Sequence, residues 1–564
     1  MMKSPATVFL ILAIWVSAAG LAFGQDCTCV AGPVLYGEDA GDRFGEAMSS
    51  SGDMDGDGIQ DYLIGAPGRS VAGRPGVGAV YGLSGVDCDQ LFVLEGHTTG
   101  SSFGYSVAVV ADFDEDALDD VLVGAPFDTA SGGYLETGSV YLFSSATGEM
   151  LWRLDGSSPS GHLGWAVARA GDVNQDEVDD WIVSAPHKND QGRVYVYSGF
   201  DGELLLELWQ SPPSPFFENG FGSCVAPIED FDGDGHDDIL VGHPEAGNFF
   251  GLRGGRVYVF SGQPSGGVLF MKTGRTDWNW NAEEIGHSVA AAGDRNDDGV
   301  PDILTGCGFF SYSRSAKVIS GMDGSNLAWV DASGDRMGIR SVRSVCTIAD
   351  INGDGVREMV VPGGNVQMLS RSNRYKPQVP IWTRSAKGFR SVAPAGDRDG
   401  DGYPELLIGD PEGVLPSKGA TGLVEIWRPK LGYLAMVESG FSVSASGPRV
   451  AVFELTFPTT EAGSVFALLG SETGSRPTIV TSGACVPLVF DALTDKTRRL
   501  YPGPRPFRLS GLLGEEGRGT AWCAFPYETL LSLVGRRFWF SAVTLTPEGL
   551  VNLASNAVPL DVLP

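Results

Sequence analysis

Residues 44–67 read FGEAMSSSGDMDGDGIQDYLIGAP and contain the unit that recurs through most of the chain. An alternating apolar and polar run ends at Gly52, the acidic loop of residues 53–61 follows, and the apolar run of residues 62–67 completes the unit. This order predicts a strand, a loop and a second strand. Most of the remaining sequence up to about residue 430 is spacing between copies, so this unit decides the fold.

The acidic loop has the residue spacing that a hard divalent cation requires. Ca²⁺ takes about six to eight oxygen ligands at roughly 2.3–2.6 Å. Carboxylates at positions 1, 3 and 5 (Asp53, Asp55 and Asp57), the carbonyl at position 7 (Ile59) and an acid at position 9 (Asp61) would supply them. The glycine at position 6 permits the sharp turn around the ion. We therefore expect one Ca²⁺ site, followed directly by a strand.

Seven such loops occur at a spacing of 47 to 64 residues. Between them lie further apolar runs, such as residues 138–143 and 150–154, so each copy is long enough for four antiparallel strands. A fixed period indicates a repeat architecture, and a radial arrangement leaves no uncovered end sheets. The sequence predicts an all-β, seven-bladed β-propeller. The loops begin at Asp53, Asp112, Asp172, Asp230, Asp294, Asp350 and Asp397.

Two segments are candidates for the strand that closes the ring. Residues 33–36 match the fourth-strand position although no repeat precedes them, and residues 433–436 follow the last repeat. Because the repeats are in phase with the first segment, the N-terminal strand is the favoured donor.

The chain divides into three predicted regions. Residues 1–24 combine Lys3, an apolar run and small residues before Gln25, which is typical of a secretory signal peptide, with a membrane anchor as the alternative. The propeller is expected over residues 25–431. Acidic loops then stop, and short apolar runs predict a smaller β-sandwich-like domain over residues 432–564. No later apolar run is long enough to cross a membrane, so we expect a secreted mature chain without a transmembrane span.

The charge and the cysteines limit the partners and the compartment. A formal net charge of −31 argues against nucleic acid as a partner, although bound Ca²⁺ would neutralise a large part of it. Eight cysteines in an exported chain can form disulfides, and buried thiols are the alternative for those in predicted strands. The candidate pairs are Cys485 with Cys523 and Cys27 or Cys29 with Cys88; the candidate thiols are Cys224, Cys307 and Cys346.

The residues that flank the loops resemble FG-GAP repeats, the unit of the integrin α-chain propeller and of many secreted bacterial proteins. The resemblance implies a seven-bladed propeller with one Ca²⁺ in the hairpin loop between the first two strands of each blade. It also implies a ligand-binding face opposite the Ca²⁺ loops. The motif pairs are Phe44-Gly45 with Gly65-Ala66-Pro67, Phe103-Gly104 with Gly124-Ala125-Pro126, Leu163-Gly164 with Ser184-Ala185-Pro186, and Phe221-Gly222 with Gly242-His243-Pro244.

Carried over loop by loop, the resemblance implies a ligand set for each Ca²⁺. In loops 2 and 3, Ala117 and Glu177 replace the glycine at position 6, which predicts weaker sites. The longer Glu358 and Glu405 at position 9 could ligate differently from Asp. The implied ligands are Asp53, Asp55, Asp57, Ile59 and Asp61; Asp112, Asp114, Asp116 and Asp120; Asp172, Asn174, Asp176 and Asp180; Asp230, Asp232, Asp234 and Asp238; Asp294, Asn296, Asp298 and Asp302; Asp350, Asn352, Asp354 and Glu358; and Asp397, Asp399, Asp401 and Glu405.

The sequence contains no Gly-x-Ser-x-Gly, His-Glu-x-x-His or phosphate-loop motif. The six histidines are interpreted as unrelated surface or turn residues of different repeats. We therefore predict a secreted, extracellular or periplasmic, calcium-binding interaction or adhesion protein with a protein or glycan partner; attachment to a cell surface stays open. The alternative is a secreted hydrolase of a polysaccharide or phosphoester that uses the propeller as a scaffold, because paired carboxylates could meet across its face.

Overall fold

The computed structural model shows two compact units, one comprising Cys29–Lys430 and the other including Leu431–Pro564. In the first unit it describes residues 29–50, 52–129, 135–210, 220–247, 253–276, 282–308, 316–330, 342, 344–350, 356–362, 365–369, 380–385, 389–398, 404–415 and 417–429. In the second it describes the backbone of the strands between residues 441 and 563.

Seven four-stranded antiparallel sheets make up the first unit. In blades 1 to 6, four strands that are consecutive in sequence pair in order. The first strands of neighbouring blades contact one another around a closed circle, and blade 7 meets blade 1. The predicted seven-bladed β-propeller is therefore confirmed.

The strand bounds follow the predicted repeats. They are β1 Cys29–Tyr36; blade 1, β2 Met48–Ser49, β3 Tyr62–Ala66, β4 Ala79–Leu83 and β5 Gln90–Glu95; blade 2, β6 Ser106–Val110, β7 Asp120–Ala125, β8 Ser139–Phe143 and β9 Met150–Asp155; blade 3, β10 Val167–Gly171, β11 Asp180–Ala185, β12 Arg193–Tyr197 and β13 Leu204–Leu208; blade 4, β14 Cys224–Ile228, β15 Asp238–His243, β16 Arg256–Phe260 and β17 Val268–Thr273; blade 5, β18 Ser288–Gly293, β19 Asp302–Gly306, β20 Ala316–Ile319 and β21 Asn326–Val330; blade 6, β22 Cys346–Ile348, β23 Glu358–Val361, β24 Asn365–Leu369 and β25 Pro380–Ser385; and blade 7, β26 Ser391–Pro394, β27 Leu406–Asp410 and β30 Leu423–Pro429, with the small hairpin β28 Val414–Leu415 and β29 Gly419–Ala420 inserted before β30.

The N-terminal strand completes blade 7. β1 pairs antiparallel with β30, with Leu35 opposite Val424, and the sheet order is β1-β30-β27-β26. The hydroxyl of Ser391 in blade 7 also donates to the carbonyl of Gly45 in blade 1 at 2.5 Å. The favoured closure is thus present, while the competing segment of residues 433–436 lies outside the described residues.

The core consists of the interfaces between blades. Val107 and Val109 of β6 pack in the cluster shared with blade 1, whereas the alternate residues Ala108 and Val110 pack in the cluster shared with blade 3. The second and third strands are buried along their whole length in blade 2, and the fourth strand is partly exposed. Each inner strand therefore contributes to two interfaces, as its period-2 pattern predicts.

The glycines of the Phe-Gly and Gly-Ala-Pro motifs bring neighbouring blades into backbone contact. Gly104 N–H donates to the carbonyl of Gly124 in its own blade at 3.1 Å. A Cβ atom on Gly124 would lie 2.1 Å from the carbonyl oxygen of Gly164 in the next blade. Blade 3 carries Ser184 at the position that Gly124 occupies in blade 2, so a side chain is accommodated at that position of blade 3.

We expect Gly124→Ala to lower the melting temperature because the new methyl group overlaps the Gly164 carbonyl. Overpacking of this kind costs about 1–3 kcal/mol. Gly267→Ala is the matched control, since a Cβ atom there would have no other heavy atom within 4 Å, and it should have a much smaller effect. Thermal unfolding followed by circular dichroism measures both; equal melting temperatures for Gly124→Ala and the parent chain would show that the contact does not matter.

The described residues of the second unit are all in strands. The strands are β31 Phe441–Ser444, β32 Val450–Thr456, β33 Val465–Ser471, β34 Ile479–Thr481, β35 Ala484–Val486, β36 Phe507–Arg508, β37 Ser510–Leu512, β38 Arg518–Ala524, β39 Arg537–Leu545, β40 Val551–Ala554 and β41 Val558–Leu563. One sheet has the order β31-β41-β39-β33-β37 with β40 paired to β39, and a second sheet consists of β32, β38 and β36. A β-sandwich-like arrangement stays a prediction.

Helix is almost absent. Within the described parts of both units, the single helix is a short 3₁₀ turn, Lys188–Asp190. Within those same parts, no helix has the length and apolar character needed to cross a bilayer.

Candidate functional sites

The acidic loops all connect the first and second strands of a blade, so they lie at the same end of every blade, here called the loop face. Loops 1 to 5 are described completely. Of the predicted ligands in loops 6 and 7, the structure describes Asp350, Glu358, Asp397 and Glu405. The other predicted ligands, Asn352, Asp354, Asp399 and Asp401, lie outside the described residues.

In loops 1, 2 and 4, three carboxylates approach one another closely. One oxygen from each lies within 4.8 Å of the others. A set of carboxylate oxygens at this separation suits a hard divalent cation such as Ca²⁺. The three clusters are Asp53, Asp55 and Asp57; Asp112, Asp114 and Asp120; and Asp230, Asp232 and Asp234.

Loops 3 and 5 have an asparagine at position 3 instead of a carboxylate. The amide nitrogens of Asn174 and Asn296 donate to Asp176 and Asp298 at 2.9 and 2.7 Å. The amide thus replaces one charge repulsion by a hydrogen bond and still offers an oxygen to a cation. These loops can hold the same ion with one negative charge fewer.

The first carboxylate of each described loop organises its turn. It accepts the N–H of position 6, and that residue has a positive φ in all five loops. Ala117 and Glu177 adopt this conformation with φ of 73° and 70°, although left-handed backbone disfavours side chains. The turn therefore survives without glycine; weaker cation binding in loops 2 and 3 stays a prediction.

The carboxylate at position 9, which the sequence suggests only as a metal ligand, also joins two turns of its blade. Asp120 is fully buried. Its Oδ2 accepts the N–H of Phe113 in the loop at 2.9 Å, and its Oδ1 accepts the N–H of Ser145 between β8 and β9 at 3.3 Å. A carboxylate has about four acceptor positions, so this role is compatible with metal binding. Asp61, Asp180, Asp238 and Asp302 make the corresponding pairs of hydrogen bonds.

Burial makes these carboxylates hard to ionise. It raises the pKa of Asp120 to about 7, and the neighbouring loop carboxylates add to the effect while the backbone N–H groups oppose it. The same cause raises the pKa of four others to about 6. These are Asp61, Asp180, Asp238 and Asp302. A cation beside them would favour the ionised form.

The structural role of position 9 can be separated from a metal-binding role. In Asp120→Asn one of the two backbone N–H groups faces an amide NH₂, and a buried unsatisfied donor costs about 1–3 kcal/mol. We expect its melting temperature to fall even in chelator. Asp114→Asn is the matched control because Asp114 is exposed: in chelator it should leave the melting temperature unchanged or slightly higher, since it removes one repelling charge, and it should lower the melting temperature only when Ca²⁺ is present. Identical responses of the two variants in chelator would refute the structural role.

The raised pKa values predict how stability depends on pH in the metal-free protein. The unfolded chain loses these protons near its ordinary pKa of 3.8, whereas the folded chain keeps them up to about 6 or 7. Their contribution to stability is complete below the unfolded pKa and is lost as the pH rises through the folded pKa. We expect the melting temperature in chelator to fall between about pH 5 and pH 8. A rise over that interval would contradict this expectation.

An acid at position 8 links neighbouring loops, a role that the sequence analysis missed. Asp119 of blade 2 accepts the N–H of Asp53 in blade 1 through Oδ2 and donates its own N–H to the Asp53 carbonyl, both at 3.1 Å. Asp237 makes the same pair of contacts with Asp172. The Asp-Asp doublets at the ends of these loops are the signal that could have revealed it.

The opposite end of the blades, here called the motif face, carries the Phe-Gly and Gly-Ala-Pro motifs. Five half-buried rings from blades 2 and 3 follow or precede these motifs and form one contact network, the ring cluster. The centroids of Tyr105 and Trp165 are 5.0 Å apart, and those of Phe127 and His162 are 5.2 Å apart. The cluster consists of Tyr105, Phe127, His162, Trp165 and His187.

The two histidines of the ring cluster form a pair. Their Nδ1 atoms are 2.7 Å apart, so one ring donates and the other accepts. Burial, followed by the proximity of His162, lowers the pKa of His187. The interpretation of all six histidines as unrelated residues of different repeats is therefore wrong for these two. Both histidines flank motifs of the same repeat, and this shared position in the sequence could have indicated that they lie close together.

Four cysteines have described side chains, and none of the four is in a disulfide. They are Cys88, Cys224, Cys307 and Cys346, so the predicted bridge from Cys88 to Cys27 or Cys29 is not present. Burial raises the pKa of Cys224 and Cys346 to about 12, which keeps these thiols protonated and unreactive. The side chains of Cys485 and Cys523 lie outside the described residues, and their pairing stays a prediction.

Comparison with known proteins agrees with this architecture. Residues 103–143 and 221–260, in blades 2 and 4, match the FG-GAP repeat family. The chain is 32% identical over 220 residues to integrin alpha-5 of Xenopus laevis, 30% over 285 residues to integrin alpha-8 of Homo sapiens, and 32% over 237 residues to integrin alpha-PS2 of Drosophila melanogaster.

These matches concern only part of each protein. They include 36%, 48% and 39% of this chain, and they span 20%, 24% and 16% of the three relatives. The resemblance therefore concerns repeated blades, and less than a quarter of each relative.

Proposed function

Because the chain is an FG-GAP repeat β-propeller, we propose that it is a secreted, calcium-stabilised, non-catalytic interaction or adhesion module. It binds one Ca²⁺ in each acidic loop, through the ligand sets given above, and a protein or glycan partner through the motif face. The likeness to integrin alpha chains supports a protein-binding or adhesive role.

The separation of the two ends of the blades carries this proposal. The clustered carboxylates lie at the loop face, where Asp119 and Asp237 also connect neighbouring blades. The half-buried rings lie at the motif face, away from the loops. Cations can thus strengthen the ring of blades without occupying the surface that meets a partner.

The expected contribution of each ion is modest. Extracellular modules bind Ca²⁺ with a Kd of about 10⁻⁴–10⁻³ M, so millimolar Ca²⁺ adds about 1 kcal/mol per site. The ion also reduces repulsion among the loop carboxylates and offsets the cost of ionising Asp120 and its equivalents. Several sites acting together would produce a clear shift in thermal stability.

Thermal unfolding in millimolar Ca²⁺ and in chelator tests the calcium part, together with metal counting by mass spectrometry. We expect a higher melting temperature with Ca²⁺ and several bound ions per chain. Mg²⁺ is the matched control because it requires octahedral geometry at about 2.0–2.1 Å and should stabilise less. An unchanged melting temperature and no bound Ca²⁺ would refute this part.

Arrays of extracellular proteins and glycans, probed in Ca²⁺, test the binding part. Tyr105→Ala alters the ring cluster, whereas Phe200→Ala alters an aromatic side chain that is 65% exposed in the turn between β12 and β13 at the loop face. Partner binding should weaken in the first variant and persist in the second. The reverse pattern would place the binding surface at the loop face and overturn the proposal.

A further inference from the structure

A cavity of about 130 Å³ lies between blades 2 and 3. One buried water needs only about 10–15 Å³, and a cavity of roughly 150 Å³ can hold a six-membered ring such as benzene. At about 130 Å³ the cavity is slightly smaller than that, so it can receive one edge of a small cyclic molecule and does not enclose the whole of it. Its polar lining consists of Thr137, Asp155, Ser157, Ser158, Lys188, Tyr195 and Tyr197.

The lining has the hydrogen-bonding capacity that a polyol requires. Its five hydroxyl groups can each donate and accept, Asp155 accepts and Lys188 donates. Leu154, Leu163 and Ala185 add apolar wall. A pyranose ring presents hydroxyl groups at its edge and C–H groups on its face, which matches this mixture. We propose that the cavity binds one pyranose unit of a neutral saccharide.

Two of the polar groups are held in place before any ligand arrives. Asp155 Oδ1 accepts from Ser139 Oγ at 2.9 Å and from Arg153 Nε at 2.7 Å. The Lys188 ammonium is hydrogen-bonded to the Tyr195 hydroxyl and lies 4.8 Å from the centre of that ring. Because these contacts restrict the side chains, little conformational entropy is lost when a ligand binds.

The charge of the lining favours a neutral ligand. Asp155 and Lys188 contribute one charge of each sign. The chain as a whole has a net charge of −31, which opposes the approach of polyanionic glycans. A neutral hexose is not repelled by the net negative charge, and it needs no excess charge of either sign in the lining.

Two residues of the ring cluster are sequence neighbours of the cavity lining, which places the cluster to extend the site. His162 lies in sequence between Gly161 and Leu163, which both line the cavity, and His187 precedes Lys188. The half-buried rings of Trp165 and Tyr105 offer apolar surface to the C–H face of a second sugar unit. This inference rests on the proposed binding role of the motif face and names its chemical class of ligand.

Direct titration of the full chain in millimolar Ca²⁺ with glucose, galactose, mannose, N-acetylglucosamine and their disaccharides tests the site. Saturation-transfer NMR should detect binding of at least one of them. Ser158→Phe fills part of the cavity and should reduce affinity more than tenfold. Ser157→Ala removes one hydroxyl and should reduce affinity about fivefold, which corresponds to one neutral hydrogen bond. Phe200→Ala is the control that should bind as the parent chain does.

Absence of saturation transfer for every sugar at millimolar concentration would overturn the inference, as would binding that neither variant reduces. Thermal unfolding checks that each variant is folded, and Ser157→Ala carries the test if Ser158→Phe is not. Capture of a protein partner at the motif face without any sugar binding refutes only the saccharide site. Binding confined to the loop face refutes the proposed function itself, so the two failures are distinguishable.

Discussion

The buried carboxylate at the ninth loop position is the interaction on which each described blade depends. It accepts one N–H from the acidic loop and one from the turn between the third and fourth strands, as Asp61 does with Met54 and Gly85 at 2.7 and 2.8 Å. Two turns that are distant in sequence are thereby fixed to the start of the second strand. The arrangement has an electrostatic cost, because burial raises the pKa of the carboxyl group. The same buried carboxyl group serves the scaffold and the candidate cation site, and a divalent cation bound beside it would lower the cost of ionising it.

At the motif face, neighbouring blades contact each other through the backbone of the motif glycines. There the blades approach until the carbonyl of one motif glycine contacts the Cα of another, as Gly164 does with Gly124. This backbone contact does not involve the side chain of the residue that follows the Phe-Gly motif. That position accordingly holds chemically unlike residues in successive blades, among them Tyr105, Trp165 and Ser223. The backbone contact thus sets the distance between the blades without fixing which side chain occupies this position of the motif face.

The periodic parts of this organisation could be predicted from sequence, because they repeat the same local pattern. Loop spacing predicts seven blades, and the phase of residues 33–36 predicts the closing strand; both are present. Contacts between blades are harder to predict from the local pattern of one repeat. Asp119 meets Asp53 across 66 residues, and no local spacing rule specifies which loop atoms face each other. The contact between His162 and His187 was not predicted for the same reason: the two rings meet because of their positions beside the motifs, and not because they are close in sequence.

The last blade shows which features the loop chemistry actually requires. At position 9 it has Glu405, yet Glu405 Oε2 accepts the N–H of Arg398 at 2.7 Å, the same contact that Asp61 makes with Met54. The extra methylene group is accommodated, so the essential element is a buried carboxylate and not aspartate as such. Arg398 in turn donates to the carbonyl of Val86 in blade 1 at 2.7 and 2.8 Å. The final loop therefore belongs to the closure of the ring, and β1 is not the only connection between its two ends.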